Sequence, residues 1–333
     1  MEELARIVPF EPHAWLRNRH VQSIIPSLPL RRPGAERRAG ELLAASRELL
    51  LDCGDGVQLL ALHARREDLG WPAARGLVVL HHGWEGSAES LYLLSLGQAA
   101  LTAGFDVVRL NLRDHGPTHH LNRDLFHSCR ITEVVGAVRR IQELNPGRDV
   151  SLAGFSLGGN FALRVAARAA TAGLRLRRVV AVCPVLDPAV TLDALERGPA
   201  LYREYFLLKW RRSLQKKQAA WPGHYDFTGM LRERSLTGMT ARMVAEYTDY
   251  PDLKTYLRGY AVTGEALASL ETESRIITAL DDPMILPGDL RRLKRVPALD
   301  VTVTRRGGHC GFVERLGGPT WIDREVMAEL MRD

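Results

Sequence analysis

The stretch Asp149-Val150-Ser151-Leu152-Ala153-Gly154-Phe155-Ser156-Leu157-Gly158-Gly159-Asn160-Phe161-Ala162-Leu163 decides the fold. A short apolar run comes first, and Ser156 then lies between two glycines in the spacing G-x-S-x-G. Leu157, Phe161 and Val165 recur every four residues, as on one face of a helix. The pattern predicts a strand, a sharp turn and a helix, with the serine hydroxyl exposed at the turn. This arrangement is called a nucleophile elbow.

The surroundings of this motif carry more weight than the motif itself. In a chain with 29 glycines the five-residue pattern alone is weak evidence. A β-rich run before it and a helical pattern directly after it are the context that an elbow requires. Gly154, Gly158 and Gly159 are small enough for a strand and a helix to pass closely. The alternative is a glycine-rich turn whose serine only caps the helix.

The composition is that of a folded protein. With 333 residues, 46% of them apolar, the chain can bury one large core and a smaller insert. The net charge of +6 comes largely from arginines scattered along the sequence, so we expect no nucleic-acid partner and only weak attraction to anionic partners. No G-x-G-x-x-G or Walker sequence occurs, so we expect no cofactor. We also expect no obligate protein partner.

The ends and the cysteines of the chain favour a cytoplasmic protein. Met1–Arg6 contains acids and lacks the long apolar core of a signal peptide. No window approaches the ~18 uninterrupted apolar residues of a membrane helix. The four cysteines have no C-x-x-C pair or framework spacing and are expected to be reduced thiols. They are Cys53, Cys129, Cys183 and Cys310.

Short β-like runs alternate with helical patterns along the chain. An Asp-Gly turn within Cys53–Gly56 lies between two such runs and predicts a hairpin. The further predicted strands are 77–80, 105–110, the run that ends at Gly154, 179–183, 275–280 and 301–304. This alternation predicts an α/β fold with a mostly parallel eight-stranded sheet flanked by helices. The loops after these strands should gather at one edge, where ligands bind in such sheets.

The predicted domain organisation has three parts. An arm rich in proline and arginine, 1–45, packs on a core formed by 46–187 and 274–333. Between the two core segments, 188–273 is too long and too aromatic for a loop, and we expect an inserted helical cap over the strand ends. Its basic stretch 209–217 is either a solvated face of a cap helix or a weak peripheral contact with an anionic lipid surface.

A serine nucleophile needs a base and an acid. A histidine must take the proton of Ser156, and a carboxylate must orient that histidine. His309 follows the last strand in a glycine-rich loop that can approach the elbow, so it is the candidate base. Asp281 and Asp282 both follow the preceding strand and are the candidate acids. In this architecture that strand usually ends in the pattern small-x-x-Asp, which aligns Asp282 as the acid. Asp187, after an earlier strand, is a third and weaker candidate.

Two backbone amides are predicted to hold the oxyanion. One is the N–H of Leu157 directly after the nucleophile, at the start of a helix. The other is the N–H of Trp84, in the loop His82-Gly83-Trp84 that follows an early strand. A tight turn with no catalytic role is the alternative for that loop.

The loop 111–130 contains four histidines. His115 and His119 are four residues apart, but Gly116-Pro117 between them prevents a helix, so we expect no metal site. These histidines are more typical of pocket walls or of hydrogen bonds within the loop. His127 and His82 are the candidate pocket residues. Cys310 beside the candidate base has no elbow and is expected to serve in packing.

Together these motifs resemble the α/β-hydrolase superfamily, and more closely its YheT-like branch, which includes plant and animal relatives with acylglycerol or phospholipid esterase roles. The matching segments are 10–12 with 18–26, 82–87, 154–160, 281–283 and 307–312. The resemblance implies a carboxylic-ester hydrolase with Ser156, Asp282 and His309 as its triad. One segment departs from the branch, because Arg113-Asp114-His115-Gly116 stands where Arg-Gly is expected.

The main functional hypothesis is hydrolysis of acyl esters through an acyl-enzyme, with a small apolar acyl ester as the substrate. A non-catalytic protein that binds a ligand under the same cap is one alternative. The intact serine, histidine and aspartate set argues against it. A thioesterase, an amidase or a carbon–carbon hydrolase with the same residues is another, because a triad alone does not define the bond that is cleaved.

Overall fold

A nine-stranded sheet forms the centre of the molecule in a computed structural model that describes residues 5–315 and 319–332. Across the sheet the strand order is β1-β9-β8-β7-β6-β4-β5-β3-β2. The strands are β1 (Arg6–Ile7), β2 (Ser46–Asp52), β3 (Gln58–Ala64), β4 (Gly76–His81), β5 (Phe105–Leu110), β6 (Val150–Phe155), β7 (Leu176–Val182), β8 (Ser274–Ala279) and β9 (Leu299–Thr304). Strands β2 and β3, and β3 and β5, pair antiparallel, and all other neighbours are parallel. The predicted α/β class is confirmed.

The predicted strand count was too low by one. The additional strand, β1, belongs to the N-terminal arm and pairs in parallel with β9, with Arg6 opposite Thr302 and Ile7 opposite Val303. A strand of two exposed residues has no apolar alternation, so no sequence pattern reveals it. The start of Met1–Arg6, and with it the start of the arm, lies outside the described residues.

Helices cover both faces of the sheet. The described residues contain α1 (Arg19–Ile24), α2 (Arg32–Arg38), α3 (Gly40–Ala45), α4 (Leu91–Thr102), α5 (Ile131–Leu144), α6 (Leu157–Ala166), α7 (Pro188–Arg197), α8 (Ala200–Ala220), α9 (Thr228–Arg232), α10 (Leu236–Tyr247), α11 (Leu253–Arg258) and α12 (Trp321–Leu330). Short 3-10 helices occupy Ala14–Leu16, Ile25–Ser27, Pro29–Arg31, Arg66–Leu69, Glu265–Leu267 and Pro287–Arg292. Helices on both faces explain why the central strands β4, β5 and β6 are buried along their whole length.

The side chains of β4 show how one strand serves two cores. Leu77 and Val79 belong to the core on one face of the sheet, and Val78 and Leu80 belong to the core on the other. Successive side chains of a strand point to opposite faces, so both sets must be apolar when both faces are covered. The continuous apolar run in the sequence therefore reflects a central parallel strand.

Helix ends follow the sequence signals. Helix α4 ends just before Gly104, whose φ of +104° suits glycine, and α5 ends before Asn145-Pro146-Gly147. Helix α12 begins with a capping box, in which the side chains of Thr320 and Asp323 each accept a hydrogen bond from the other's backbone N–H. These local signals fix where the elements that flank the site begin and end.

Between β7 and β8 the chain forms five helices, α7 to α11. The basic stretch 209–217 lies in the longest of them, α8, and the solvated-face interpretation is wrong for three of its nine residues. Trp210, Leu214 and Lys217 are buried, and the Lys217 Nζ lies 2.8 Å from Asp114 Oδ1. The reason is that α8 packs against the loop 111–130, a contact between segments far apart in sequence.

The helices also bear on membrane association. Among the described residues, no helix combines the length and the apolar character that crossing a bilayer requires.

All four cysteines are free thiols, and Cys53, Cys183 and Cys310 are buried.

Candidate active site

Ser156 occupies a sharp turn between β6 and α6. Its backbone has φ +54° and ψ −119°, a conformation that residues with a side chain rarely adopt. The turn requires close packing, because a Cβ on Gly158 would overlap the His81 carbonyl oxygen at the end of β4. The strand, turn and helix predicted from the sequence are therefore present.

His309 lies between the Ser156 hydroxyl and a carboxylate. Its Nε2 is 3.0 Å from Ser156 Oγ, and its Nδ1 is 2.8 Å from Asp282 Oδ2. The three side chains come from loops at the carboxyl ends of β6, β8 and β9. Both distances are hydrogen-bond distances, so a proton can pass from the serine to the imidazole while the carboxylate orients the ring.

Of the three candidate acids, the structure places Asp282 at the histidine. Its second oxygen, Oδ1, accepts hydrogen bonds from the backbone N–H groups of Met284 and Ile285, at 2.8 and 2.9 Å. Asp281 instead accepts the Gly308 N–H at 2.9 Å. Burial raises the pKa of Asp281, and that N–H opposes the rise.

Asp187 has a structural position instead. Its Oδ1 accepts the backbone N–H groups of Ala189 and Val190 at the start of α7, and its Oδ2 pairs with Arg292. This is helix capping joined to an ion pair, and it does not contact His309. Of the three candidate aspartates, only Asp282 therefore contacts His309 among the described residues.

The N-terminal arm holds the His309 loop, which sequence analysis did not anticipate. Ser23 Oγ accepts the backbone N–H of His309 at 2.8 Å and donates to the Arg19 carbonyl oxygen at 2.8 Å. Next to it, the Gln22 side chain accepts the Val313 N–H and donates to the Val313 carbonyl oxygen, both at 2.9 Å. The segment 18–26 carried part of the family resemblance, but nothing in its composition indicated this role.

Close contact between the arm and this loop depends on small residues. A Cβ on Gly308 would overlap the Arg19 carbonyl oxygen, and the Gly308 φ of +55° also favours glycine. The glycines around His309 therefore allow α1 to pack directly against the loop.

Of the two predicted oxyanion amides, one follows Ser156 directly in the chain and the other belongs to a loop that packs against Ser156. Leu157 is the first residue of α6, so its N–H has no partner within the helix. The loop after β4 is close as well, because a Cβ on Gly83 would lie 3.2 Å from Ser156 Cβ. Within residues 5–315 and 319–332, neither the Leu157 nor the Trp84 amide donates a hydrogen bond to a protein acceptor.

Ser156 and His309 open into an apolar cavity of about 420 Å³. Its walls combine the loop after β4 with helices α7, α8, α10 and α11, and they include Trp84, Leu192, Phe206, Trp210, Met243 and Met284. Trp84 stacks on Phe206 at 5.1 Å and meets Trp210 edge-on at 5.2 Å. An aromatic wall of this kind suits an apolar group bound beside the serine.

The two candidate pocket histidines differ in position. His127 lines the cavity and meets the rings of Tyr250 and Tyr256 edge-on. His82 is completely buried and does not line the cavity, so its assignment to the pocket is corrected. Its Nε2 accepts the Leu112 N–H at 3.1 Å and its Nδ1 bonds the Gly83 carbonyl oxygen at 2.7 Å, so backbone groups occupy both ring nitrogens.

Three histidines of the loop 111–130 are largely buried, and two of them make hydrogen bonds. His115 Nδ1 bonds the Arg113 carbonyl oxygen at 2.7 Å, and His119 Nε2 bonds Ser213 of α8 at 2.9 Å. Burial lowers the pKa of His115 to about 4 and those of His119 and His127 to about 3. These rings are therefore uncharged at neutral pH, as buried hydrogen-bonding side chains require.

The residues that depart from the family pattern form two buried ion pairs. Arg113 donates from Nε and Nη2 to one Glu133 oxygen, at 2.9 and 2.7 Å. Asp114 pairs with Lys217 through Oδ1 and accepts the Phe126 N–H at 2.8 Å through Oδ2. The Asp114–Lys217 pair therefore attaches α8 to the loop 111–130, and the Arg113–Glu133 pair attaches the same loop to α5.

Cys183, His309 and Cys310 bring potential metal-binding atoms within 4.8 Å of one another. Both His309 nitrogens already face Ser156 and Asp282, and a metal would have to replace one of these contacts. Burial raises the pKa of the Cys310 thiol well above its ordinary value, which suppresses the reactive thiolate. We therefore assign no metal to this group, and Cys310 lies in the packed interior.

Known proteins share this fold. A family model described as alpha/beta hydrolase fold matches residues 76–316. The chain is 24% identical over 330 residues to the protein named "Putative esterase YheT" from Escherichia coli strain K12, across 97% of this chain and 93% of that protein. The Pyrococcus furiosus esterase Pf2001 is 15% identical with a TM-score of 0.59, covering 87% of this chain and 92% of the esterase.

The carboxylesterase CesB from Bacillus subtilis is 16% identical with a TM-score of 0.52, and the match covers 91% of this chain and 98% of CesB. At these identities the solved structures support the fold, while the family model spans most of the chain. The elbow, the strand order and the match to the family model agree with one another. The chain belongs to the α/β-hydrolase fold family, as an esterase-like member similar to YheT.

Proposed function

We propose that this protein is a serine hydrolase that cleaves carboxylic esters through Ser156, His309 and Asp282. The observation that supports this proposal is the position of His309, 3.0 Å from the serine hydroxyl and 2.8 Å from a buried carboxylate. The strained elbow holds that hydroxyl at the wall of the apolar cavity. The roles below follow from this geometry.

In the first half of the reaction, Ser156 Oγ attacks the ester carbonyl carbon and its proton moves to His309 Nε2. The tetrahedral intermediate then loses the alcohol, which takes that proton, and an acyl-enzyme remains. Asp282 stabilises the imidazolium through Nδ1. The Met284 and Ile285 amides hold the other Asp282 oxygen, so the carboxylate keeps its orientation.

In the second half, water gives a proton to His309 and attacks the acyl carbon, and the acid is released as His309 returns that proton to Ser156 Oγ. During both halves, the negative charge on the former carbonyl oxygen faces the Leu157 and Trp84 N–H groups. The Leu157 amide follows Ser156 directly, and the Trp84 amide belongs to the loop that packs against Ser156. Neither has a protein acceptor among the described residues, which supports their assignment as the oxyanion hole.

The substrate side of the proposal rests on the cavity. We assign 188–273 as a cap on the core of 46–187 and 274–333, with 1–45 as the arm, because helices α7, α8, α10 and α11 line the same cavity as Ser156. Its apolar walls favour an apolar acyl or alcohol group over a charged one. We also propose a cytoplasmic location, where the four free thiols would stay reduced.

A fluorophosphonate probe tests the nucleophile. We expect wild type to be labelled and Ser156→Ala to remain unlabelled with an unchanged circular dichroism spectrum. The control is Ser269→Ala, which removes a hydroxyl that bonds the Ala167 carbonyl oxygen and does not line the cavity. An unlabelled but folded wild type would support a ligand-binding protein and contradict the proposal.

The bond specificity needs a separate measurement. Hydrolysis of p-nitrophenyl esters with acyl chains of increasing length, beside the matching thioesters and anilides, gives kcat/KM for each bond type. We expect the esters to be preferred, and the longer chains to gain through KM as they fill the cavity. Preference for the thioester or the anilide would retain the nucleophile and reject the ester assignment.

A further inference from the structure

Exposed apolar side chains are concentrated at the mouth of the cavity. Leu30 is 91% exposed and Leu201 is 61% exposed, and Leu28, Tyr205 and Leu208 are exposed beside them in the same two segments. Leu28, Leu201 and Tyr205 also line the cavity that contains Ser156. The other large exposed apolar residues are scattered singly along the chain, which is normal for a protein surface.

The part of this surface on α8 is a single helix face. Leu201, Tyr205 and Leu208 follow one another at spacings of four and three residues, which places them on one stripe of the helix. The next position of the stripe is Arg212, and Lys216 lies one turn beyond it. The stripe therefore changes from apolar at the mouth to basic away from it.

Both segments that form this surface are also rich in basic residues. Residues 28–38 contain four arginines and one glutamate, and residues 200–217 contain six basic residues and one glutamate. The whole chain has a net charge of only +6, so the rest of it is slightly acidic. The two segments are therefore more basic than the chain as a whole.

Several of these charges face solvent without a partner. Arg37, Arg38, Arg212 and Lys216 are exposed, and among the described residues none of them lies within 4.0 Å of a carboxylate. In contrast, Lys217 is buried with Asp114, and Lys209 donates to the Glu85 carbonyl oxygen at 2.6 Å. The unpaired charges are available to an anionic surface next to the apolar mouth.

We propose that the docking face, formed by Leu28, Leu30, Leu201, Tyr205 and Leu208 with their basic flank, binds an anionic lipid surface. Apolar side chains beside lysines and arginines are typical of a segment that lies in the membrane interface. The apolar residues enter the boundary between head groups and acyl chains, and the basic residues contact anionic head groups.

The position of the face around an opening favours a lipid surface over a folded protein. A rigid partner or a second copy placed on these residues would close the cavity that leads to Ser156. A fluid lipid surface covers the same apolar residues and leaves the opening in contact with lipid molecules. Docking would then let an ester enter the cavity directly from the lipid. This consequence rests on the proposed function, whereas the docking itself does not.

Flotation with lipid vesicles tests the docking face. The full chain is used as Ser156→Ala, so that hydrolysis cannot alter the vesicles. We expect binding to vesicles of equal parts phosphatidylcholine and phosphatidylglycerol, little binding to phosphatidylcholine alone, and release by salt. Leu30→Ser with Leu208→Ser should weaken binding about tenfold, and so should Arg212→Gln with Lys216→Gln. None of these four residues lines the cavity.

Matched controls remove the same chemistry elsewhere. Leu50→Ser with Leu144→Ser removes two leucines that are 49% and 37% exposed on other parts of the chain. Lys254→Gln with Arg258→Gln removes two exposed charges from α11. We expect both control pairs to bind vesicles as strongly as the Ser156→Ala parent.

Three results would overturn the proposal. In the first, the Ser156→Ala parent binds both vesicle types equally. In the second, the control pairs lose as much vesicle binding as the pairs on the docking face. In the third, the parent sediments as a dimer, and Leu30→Ser with Leu208→Ser dissociates it. The last result would identify the face as a contact between copies of this chain. The same paired substitutions are also made in the chain that retains Ser156, and their fluorophosphonate labelling is measured separately. Loss of docking and loss of hydrolysis are therefore distinguishable.

Discussion

The backbone N–H of His309 donates a 2.8 Å hydrogen bond to Ser23 Oγ, across 286 positions of the chain. The same hydroxyl donates its proton to the Arg19 carbonyl oxygen one turn earlier in α1. Both hydrogen-bonding functions of Ser23 are therefore committed, and the arm fixes the backbone of the proposed base. Ser23 also lines the cavity, but its hydroxyl bonds the His309 backbone, and in the proposed mechanism it would act as a positioning residue.

The first prediction concerns this contact. Ser23→Ala leaves the His309 N–H without its acceptor, and the imidazole loses part of its alignment with Ser156. We expect kcat to fall about tenfold to a hundredfold with little change in KM, because a misplacement of about 1 Å is costly for catalysis but not for binding. Steady-state kinetics with a p-nitrophenyl ester measure both constants.

Ser269→Ala is the matched control, since it also removes a hydroxyl bonded to a backbone carbonyl oxygen. It should leave kcat unchanged. A Ser23→Ala variant with wild-type kcat and the same rate of fluorophosphonate labelling would show that the arm does not position the base.

The second prediction separates the neighbouring aspartates. In Asp282→Asn, the Met284 and Ile285 N–H groups retain the amide oxygen, so the amide NH₂ turns toward His309 Nδ1. The ring then adopts the tautomer that cannot accept the Ser156 proton. We expect kcat to fall by about 10³- to 10⁴-fold.

Asp281→Asn is the natural comparison. Its oxygen accepts only the Gly308 N–H, which an amide oxygen can still do, so we expect a loss below about tenfold. Equal losses in the two variants would contradict the assignment of Asp282 as the acid.

The third prediction concerns the buried pair that attaches α8 to the core. Lys217→Met leaves Asp114 buried without its cation, and we expect the free energy of unfolding to fall by about 3–5 kcal/mol. Arg140→Gln breaks an exposed pair with Glu143 and should cost less than about 1 kcal/mol. Urea unfolding followed by fluorescence provides both values.

Adding Asp114→Asn to Lys217→Met removes the unpaired charge. The double variant should therefore be more stable than the sum of the two single losses predicts. Additive losses would mean that Asp114 and Lys217 stabilise the fold independently.

The fourth prediction is a pH dependence that Glu85 produces. Burial raises the pKa of Glu85 to about 7 from an ordinary value of 4.5, and Lys209 opposes the rise. Between these two pH values the folded protein holds a proton that the unfolded chain has lost, so stability falls as the pH rises through this window. Glu85→Gln removes this dependence.

Thermal melts of wild type and Glu85→Gln over this pH range measure the effect. We expect the difference in Tm, wild type minus variant, to decrease from about pH 4.5 to about pH 7 and to stay constant above it. Glu89→Gln, at an exposed position four residues further on, should parallel wild type. A constant difference between wild type and Glu85→Gln would contradict the raised pKa.

Much of the fold was predictable because its signals are local. The G-x-S-x-G turn, the buried central strands and the helix ends each depend on residues within one short segment. The ninth strand, Arg6–Ile7, was missed because a pair of residues has no periodicity. The burial of Lys217 was also missed, because a basic stretch of a helix has the same sequence whether it faces solvent or another segment.

The sequence by itself determined the elbow at Ser156, the candidate base at His309 and the α/β class, since chain order and local spacing define them. Only the tertiary structure placed Asp282, and not Asp281, at His309, removed His82 from the cavity wall and brought Ser23 to the His309 backbone. Each of these outcomes depends on contacts between segments distant in sequence. Side-chain direction and burial at such contacts are set by packing, which no short stretch of sequence encodes.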